Sequence, residues 1–324
     1  MDGNQFPSEE GCPKGGVVMR SIPLLVIAGP TATGKTALAI DLALSLNGEV
    51  VSADSMQVYK GMDIATAKPS IKEMRGVPHH LLDFVRPDER FSVARYAPLA
   101  HAAIQDIYTR GKLPILCGGT GLYIQAVTEN LQLTEGNFTQ DHTGTWEELQ
   151  AIDPAAAAKI HPNDQKRISR ALALYRCAGV TLTEQNLRSR RTPSPYEARM
   201  IFLNARERQH LYDRIGRRVE QMLASGLPAE AKARRQEARD TAAQAIGHKE
   251  MEPYFLGQCT LEEAVENLKR ETRRYAKRQL SWFRRTAREW NERIPGSCME
   301  LFMEDDDLQE QANAFLHTAF SFLI

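Results

Sequence analysis

Apolar residues run unbroken from Leu24 to Ala28, stop at a glycine-rich octapeptide, and resume in Ala37, Leu38, Ala39 and Ile40. This pattern predicts a buried strand over residues 24–28, a turn, a helix over residues 35–46 and a second strand over residues 49–53. Connections this short suit a parallel sheet, whose strands are buried on both faces and read as continuous apolar runs. Further strands are expected over residues 79–84, 112–117 and 198–204, with an amphipathic helix over residues 93–110. Between residues 131 and 195 the pattern turns helical, most clearly over residues 155–160 and 164–177, with turns at Asp153-Pro154 and His161-Pro162. Helices follow over residues 205–224, around 230–240 and over 261–292, then an amphipathic tail in which Leu308, Ala312, Phe315, Ala319 and Phe320 share a face.

The octapeptide Gly29-Pro30-Thr31-Ala32-Thr33-Gly34-Lys35-Thr36 fits G-x-x-x-x-G-K-[ST] at every fixed position. Between a strand and a helix it reads as a phosphate-binding loop, or P-loop. Its glycines let successive N–H groups turn onto a polyphosphate at the positive end of the following helix. Lys35 would neutralise phosphate oxygens and Thr36 would ligate Mg²⁺. The motif alone leaves open whether the phosphate belongs to a nucleotide. The expected fold class is α/β: a P-loop NTPase-like parallel sheet flanked by helices, built from residues 21–130 and 196–324, with a small helical domain inserted at 131–195.

At 324 residues and 42% hydrophobic, the chain can bury one large core or two smaller ones. No apolar run approaches the roughly 20 residues of a membrane span, so no membrane partner is expected. Residues 1–20 carry Gly, Pro, Ser and Glu in place of a long apolar core and read as a disordered extension, not a signal peptide. The five cysteines, Cys12, Cys117, Cys177, Cys259 and Cys298, form no C-x-x-C pair, which argues against a zinc knuckle or disulfide framework. A monomer in a reducing cytoplasm is the expectation.

A formal net charge of zero argues against indiscriminate coating of nucleic acid, but it conceals local patches. Lys166, Arg167, Arg170, Arg176, Arg188, Arg190 and Arg191 lie in a stretch where Glu184 is the only acid. A second cluster, from Lys269 to Arg288, is interleaved with Tyr275, Trp282 and Phe283. Basic strips with aromatics suit a structured RNA, whose phosphates set affinity and whose exposed bases stack; solvated helix faces are the plain alternative.

Asp54 closes the second predicted strand beside the P-loop. A carboxylate there would hold Mg²⁺, act as a general base, or cap a helix. Thr120 follows paired glycines at the end of another strand, in Gly118-Gly119-Thr120-Gly121, where open parallel sheets bind ligands. Arg214 and Arg218 fall on one helix face, with Arg217 adjacent. They suit either a leaving pyrophosphate or surface salt bridges.

These blocks, taken in order, resemble the tRNA dimethylallyltransferase family, enzymes that prenylate adenosine 37 beside the anticodon. The resemblance runs from about Leu24 to Arg285. It includes the P-loop, Asp54-Ser55-Met56-Gln57-Val58-Tyr59, Thr66-Ala67-Lys68-Pro69, Pro78-His79-His80-Leu81-Leu82-Asp83 and Gly118-Gly119-Thr120-Gly121-Leu122-Tyr123. Ile160-His161-Pro162-Asn163-Asp164, Ala245-Ile246-Gly247 and Ala276-Lys277-Arg278-Gln279-Leu280-Ser281-Trp282-Phe283-Arg284 continue it. The resemblance implies that residues 29–36 grip dimethylallyl diphosphate with Mg²⁺, that Asp54 is the base, that Thr120 lies near the reacting centre, and that Arg214 or Arg218 stabilises the leaving group. It also implies a tRNA anticodon stem-loop as partner. The matching RNA positions are Asp54, Ser55, Met56 and Gln57; Gln165, Lys166, Arg167, Ile168 and Ser169; residues 244–249, including Gly247; and Lys277, Arg278 and Gln279 through Arg284. The extruded adenine would reach the site through a channel.

The chain departs from the family pattern in a short stretch between residues 131 and 146, in His248 where Tyr is usual, in Ala173 where Glu is common, and in lacking a C-terminal zinc finger. Three alternatives differ in chemistry: a P-loop kinase for a small metabolite, a non-catalytic RNA-binding ATPase, and a prenyltransferase acting on free adenylate.

Overall fold

The computed structural model describes residues 21–133, 144–239 and 241–319; the N-terminal extension and Phe320 lie outside the described residues. Six strands, β1 (Ile22–Ala28), β2 (Gly48–Ser52), β3 (His79–His80), β4 (Leu113–Gly118), β5 (Tyr196–Asn204) and β6 (Cys298–Phe302), form one sheet in the order β3-β2-β4-β1-β5-β6. Every pairing is parallel. The central strand β1 is buried throughout, and its side chains alternate between two cores as the pleat requires. Leu24, Val26 and Ala28 face one core, Leu25 and Ile27 the other.

Helix α1 (Lys35–Ser45) packs into the second core. After β2 come two short helices, α2 (Asp63–Thr66) and α3 (Ile71–Met74). The first core takes α4 (Val93–Thr109), which precedes β4, and α5 (Gly121–Thr128), which follows it.

Four helices, α6 (Trp146–Ile152), α7 (Pro154–Ala157), α8 (Gln165–Ala178) and α9 (Leu182–Ser189), come next. They enclose a core of their own around Leu149, Ala156, Ile160, Ile168 and Leu172. At its neck this unit is pinned where Asn130 Nδ2 donates to the Pro193 carbonyl at 3.0 Å and the Gln132 amide donates to Ser189 at 2.9 Å.

After β5 come α10 (Arg208–Ala224), α11 (Leu227–Arg234), α12 (Glu252–Phe255) and the 33-residue α13 (Leu261–Arg293). Val219, Leu227 and Leu268 from this group, with Met251 just before α12, form a further apolar cluster. Helix α14 (Leu308–Ala319) returns to the second core, contributing Leu308, Ala312 and Phe315.

Several boundaries differ from the sequence expectation. The strand expected over residues 79–84 is only two residues long, because Leu81 and Asp83 take left-handed φ of 61° and 55°, which ends extended pairing. Helix α10 begins at Arg208, and α11 ends at Arg234 instead of near residue 240. Strand β6, which the pattern reading missed, pairs with β5 from Met200↔Cys298 to Asn204↔Phe302.

Candidate active site

The carboxyl ends of β1, β2 and β4 meet at one edge, with Ala28 opposite Gly118 and Ser52 opposite Cys117. The P-loop leaves β1 there. Gly29 has φ 148°, and a Cβ on it would lie 2.3 Å from the Leu203 carbonyl oxygen, so only glycine fits against β5. Ala32 and Gly34 take φ of 67° and 95°, completing the curl. Thr33 Oγ1 and Lys35 Nζ both donate to the Pro30 carbonyl, at 2.9 and 2.6 Å.

Two cavities adjoin at this loop and share Lys35, Thr36, Ala67 and Arg218 in their walls. The larger, about 710 Å³, carries Lys35, Lys68, Arg75, Arg214, Arg217 and Arg218 against the acids Asp41 and Glu73. Arg75 pairs with Asp41, and Lys68 with Asp63 and Asp83. Among the described residues no carboxylate lies within ion-pair distance of Lys35, Arg214, Arg217 or Arg218. Burial lowers the Lys35 ammonium to about 8, with Arg218 adding to the effect while Cys117 and Asp54 oppose it. Burial likewise lowers Arg218, against the pull of Asp54. Enclosed cations without a counter-charge are costly, and a multiply charged anion would relieve them.

The smaller cavity, about 270 Å³, brings Asp54, Ser55, Met56 and Gln57 beside Thr31, Lys35, Thr36 and Arg218. Its apolar wall includes Met56, Ala65, Val219, Met222, Ile246 and Leu268, with Tyr275 and Arg278 from α13. Asp54 caps its own turn: Oδ1 accepts from the Met56 amide at 2.8 Å and the Gln57 amide at 3.3 Å. Asp54 thus caps its turn and lines the smaller cavity at once. Thr120 is tied to the same turn, its Oγ1 accepting from the Ser55 amide at 3.0 Å and meeting Ser55 Oγ at 3.3 Å. Tyr275 lines the same cavity, and its phenol is raised by burial and further by the charge of Asp54.

Among the described residues no group of three or more His, Cys, Asp or Glu is arranged to hold a metal ion. Mg²⁺ does not need one: a single hydroxyl such as that of Thr36, together with substrate phosphate oxygens and water, is a donor set this cation takes. Thr36 lines both cavities, so the residues present fit such an ion.

The other expected RNA positions fall in three settings. Gln165, Lys166 and Arg167 are exposed at the start of α8, and Ser169 is half-buried beside them. Ile168 is 0% exposed and belongs to the core of the helical unit, so its side chain cannot meet RNA. The apolar spacing Ile168, Ala171, Leu172 was the signal that it faces inward. Gln244, Ile246 and Lys249 line the smaller cavity. Gly247 is buried at φ 107°, where a Cβ would lie 2.9 Å from that of Ala65; its role is close packing on α2. Lys277 and Arg278 are exposed on α13, but Gln279 is 5% exposed and bonded within the protein.

His248 is buried too, its Nε2 2.9 Å from Glu230 Oε1. The Glu230 carboxylate also accepts from the amides of Asp63, Ile64 and Ala65, which open α2. Burial alone would raise this carboxyl; the bonds from His248 and those amides bring it down to about 2. Ala173 is 1% exposed, which accounts for a small side chain there. Sequence reasoning missed Cys117, whose thiol burial pushes up to about 12, and the cavity residues Arg75, Val219, Met222 and Leu268. Only their neighbourhood to recognised motifs could have signalled them.

Residues 57–286 match the IPP transferase family, and residues 22–89 match the isopentenyl transferase family. The tRNA dimethylallyltransferase of Halalkalibacterium halodurans is 50% identical over 279 residues, covering 82% of this chain and 88% of its own. That of Anoxybacillus flavithermus is 44% identical over 305 residues, covering 91% and 95%. The crystal structure of the tRNA isopentenylpyrophosphate transferase from Bacillus halodurans superposes with TM-score 0.69 at 42% identity, covering 93% of this chain and 97% of that one. A eukaryotic dimethylallyltransferase acting on tRNA superposes with TM-score 0.76 at 31% identity, covering 93% and 79%.

Proposed function

This chain belongs to the tRNA dimethylallyltransferase family, and on that premise we propose that it transfers a dimethylallyl group from dimethylallyl diphosphate to N6 of adenosine 37 in tRNAs reading codons that begin with U. The products are N6-(dimethylallyl)adenosine and diphosphate. The observation that carries the reading is the shared wall of the two cavities, which sets unpaired cations on one side and a strand-end carboxylate on the other.

The diphosphate occupies the cationic cavity, held by the P-loop amides, Lys35 and the arginines of α10. Its five-carbon chain points toward the shared wall, and the adenine enters the smaller cavity. The exocyclic N6 is a poor nucleophile because its lone pair is delocalised into the ring. As N6 bonds to the allylic carbon, the carbon–oxygen bond to diphosphate breaks, and Asp54 accepts the N6 proton. Negative charge grows on the departing oxygens, where Lys35, Arg214 and Arg218 stabilise it. Mg²⁺ held by Thr36 and the diphosphate would supply further neutralisation. The exposed cations at the start of α8 and along α13 bind the anticodon stem-loop through its phosphates. The protein acts as a cytoplasmic monomer.

The test is incubation with dimethylallyl diphosphate, Mg²⁺ and unmodified tRNA, followed by mass analysis of the nucleosides. Prenylated adenosine at position 37 is the expected product. ATP consumption on a small metabolite with no prenylated nucleoside would transfer the assignment to a kinase.

A further inference from the structure

The second glycine-rich turn, at the end of β4, is filled by protein. A Cβ on Gly118 would lie 2.1 Å from the Ala53 carbonyl oxygen, one on Gly119 2.3 Å from Gln279 Nε2, and one on Gly121 2.2 Å from Trp282 Nε1. The last two contacts come from α13, which lies across the sheet edge in the space those glycines leave. At the centre of that contact Gln279 spans two loops. Its Oε1 accepts from the Thr31 amide of the P-loop at 2.9 Å, and its Nε2 donates to the Gly119 carbonyl at 2.9 Å. Tyr275, one turn earlier, lines the same cavity as Gln279 and Gly119. On the same stretch of helix Lys277 and Arg278 face solvent.

We propose that Gln279 is a positioning residue that ties the RNA-facing turn of α13 to the P-loop, so that RNA and diphosphate bind cooperatively. This rests on the prenyltransferase reading above, and it assigns Gln279 a role other than contact with a base. The Thr31 amide is directed at α13, so the first half of the P-loop is held from the helix side, and the phosphate relies on the amides that remain. Lys277 and Arg278 are exposed on the turn that carries Gln279, so a polyanion that fixes them fixes that turn. Whatever RNA does for diphosphate affinity, diphosphate does equally for RNA affinity.

The experiment measures binding of inorganic diphosphate, with and without a synthetic anticodon stem-loop, to the full chain and to Gln279→Met, which keeps length and apolar bulk but loses both bonds. The unaltered protein is expected to bind diphosphate several-fold more tightly when the stem-loop is present. Gln279→Met is expected to weaken diphosphate binding about tenfold, to abolish the enhancement, and to leave stem-loop affinity in the absence of diphosphate within about twofold. Gly119→Ala displaces the same amide from the other side and leaves Lys277 and Arg278 in place, and it should give the same loss of diphosphate affinity non-additively with Gln279→Met. Loss of stem-loop affinity with diphosphate affinity intact would overturn the proposal and return Gln279 to RNA contact. Equal diphosphate affinity with and without stem-loop in the unaltered protein would also overturn it. Neither readout needs turnover, so absence of prenyl transfer would count against the function reading alone.

Discussion

Burial brings the Lys35 ammonium down from 10.5 to about 8, so folding at neutral pH encloses a charge that water solvates better. Between those two values the unfolded chain binds more protons than the folded one, so stability from this group rises with pH through that window, and the penalty is full below about 8. Lys35→Met is therefore expected to stabilise the fold at pH 7 by on the order of 3 kcal/mol, a gain that shrinks toward pH 10, while diphosphate binding is lost. Urea unfolding at both pH values and calorimetry with diphosphate check the two halves; equal stability of the two proteins at pH 7 would refute the first. Asp54→Asn keeps an acceptor for the Met56 amide and removes the carboxylate proposed as the base. It is expected to lower the single-turnover rate of prenylation about 10²- to 10⁴-fold, with the unfolding temperature and diphosphate affinity unchanged. Both residues were legible in the sequence because a P-loop and a strand-end acid are local patterns. The lowered ammonium of Lys35 was not, because it depends on its partial burial and on Arg218 of α10, which lies far along the chain.

Elements are held in register at the opposite edge of the sheet by a single acid. Glu49, 2% exposed at the start of β2, accepts from Arg110 after α4, from Lys112 before β4, and contacts His80 of β3 at 2.8 Å. The Arg110 bonds, opposed by burial and helped by Lys112 and His80, hold this carboxyl far below the ordinary value of 4.5. A lowered carboxyl contributes stability above its unfolded value and loses it as pH falls through and below that value. Glu49→Gln should cost about 1–3 kcal/mol at pH 7 and progressively less below pH 4.5, measured by denaturant unfolding across that range. The major elements around it were legible from apolar periodicity. Strands β3 and β6 were misread because pairing with a neighbour, not composition, defines so short a strand. Helix α13 was legible as a helix, yet its sequence gave no sign that Gln279 turns inward, since a polar residue among arginines reads as solvent-facing until Gly119 is seen to leave room for it.

On the scale of the molecule, charge is segregated although the total is zero. Lys166 and Arg167 stand exposed on the helical unit, away from the cores of the sheet. Replacing both with alanine is expected to weaken stem-loop binding and to reduce the slope of log affinity against log salt by about two, leaving diphosphate affinity and unfolding temperature as they were. A slope unchanged within error would remove these residues from the RNA surface. The pattern between residues 131 and 195 reads as helical, and α6, α7, α8 and α9 fall within it, but their shared core was not legible, because that depends on which of their faces meet.

The neck of that unit has a practical consequence. Asn130 and Pro193 are direct neighbours, and the unit between them carries its own apolar interior, while among its described residues only Leu131 and Leu133 at its start pack on α4 and α5. A chain in which a brief Gly-Ser bridge joins these two positions should still fold and still capture diphosphate. Such an excised version would measure anion capture by the parent scaffold apart from whatever the appendage contributes to RNA affinity.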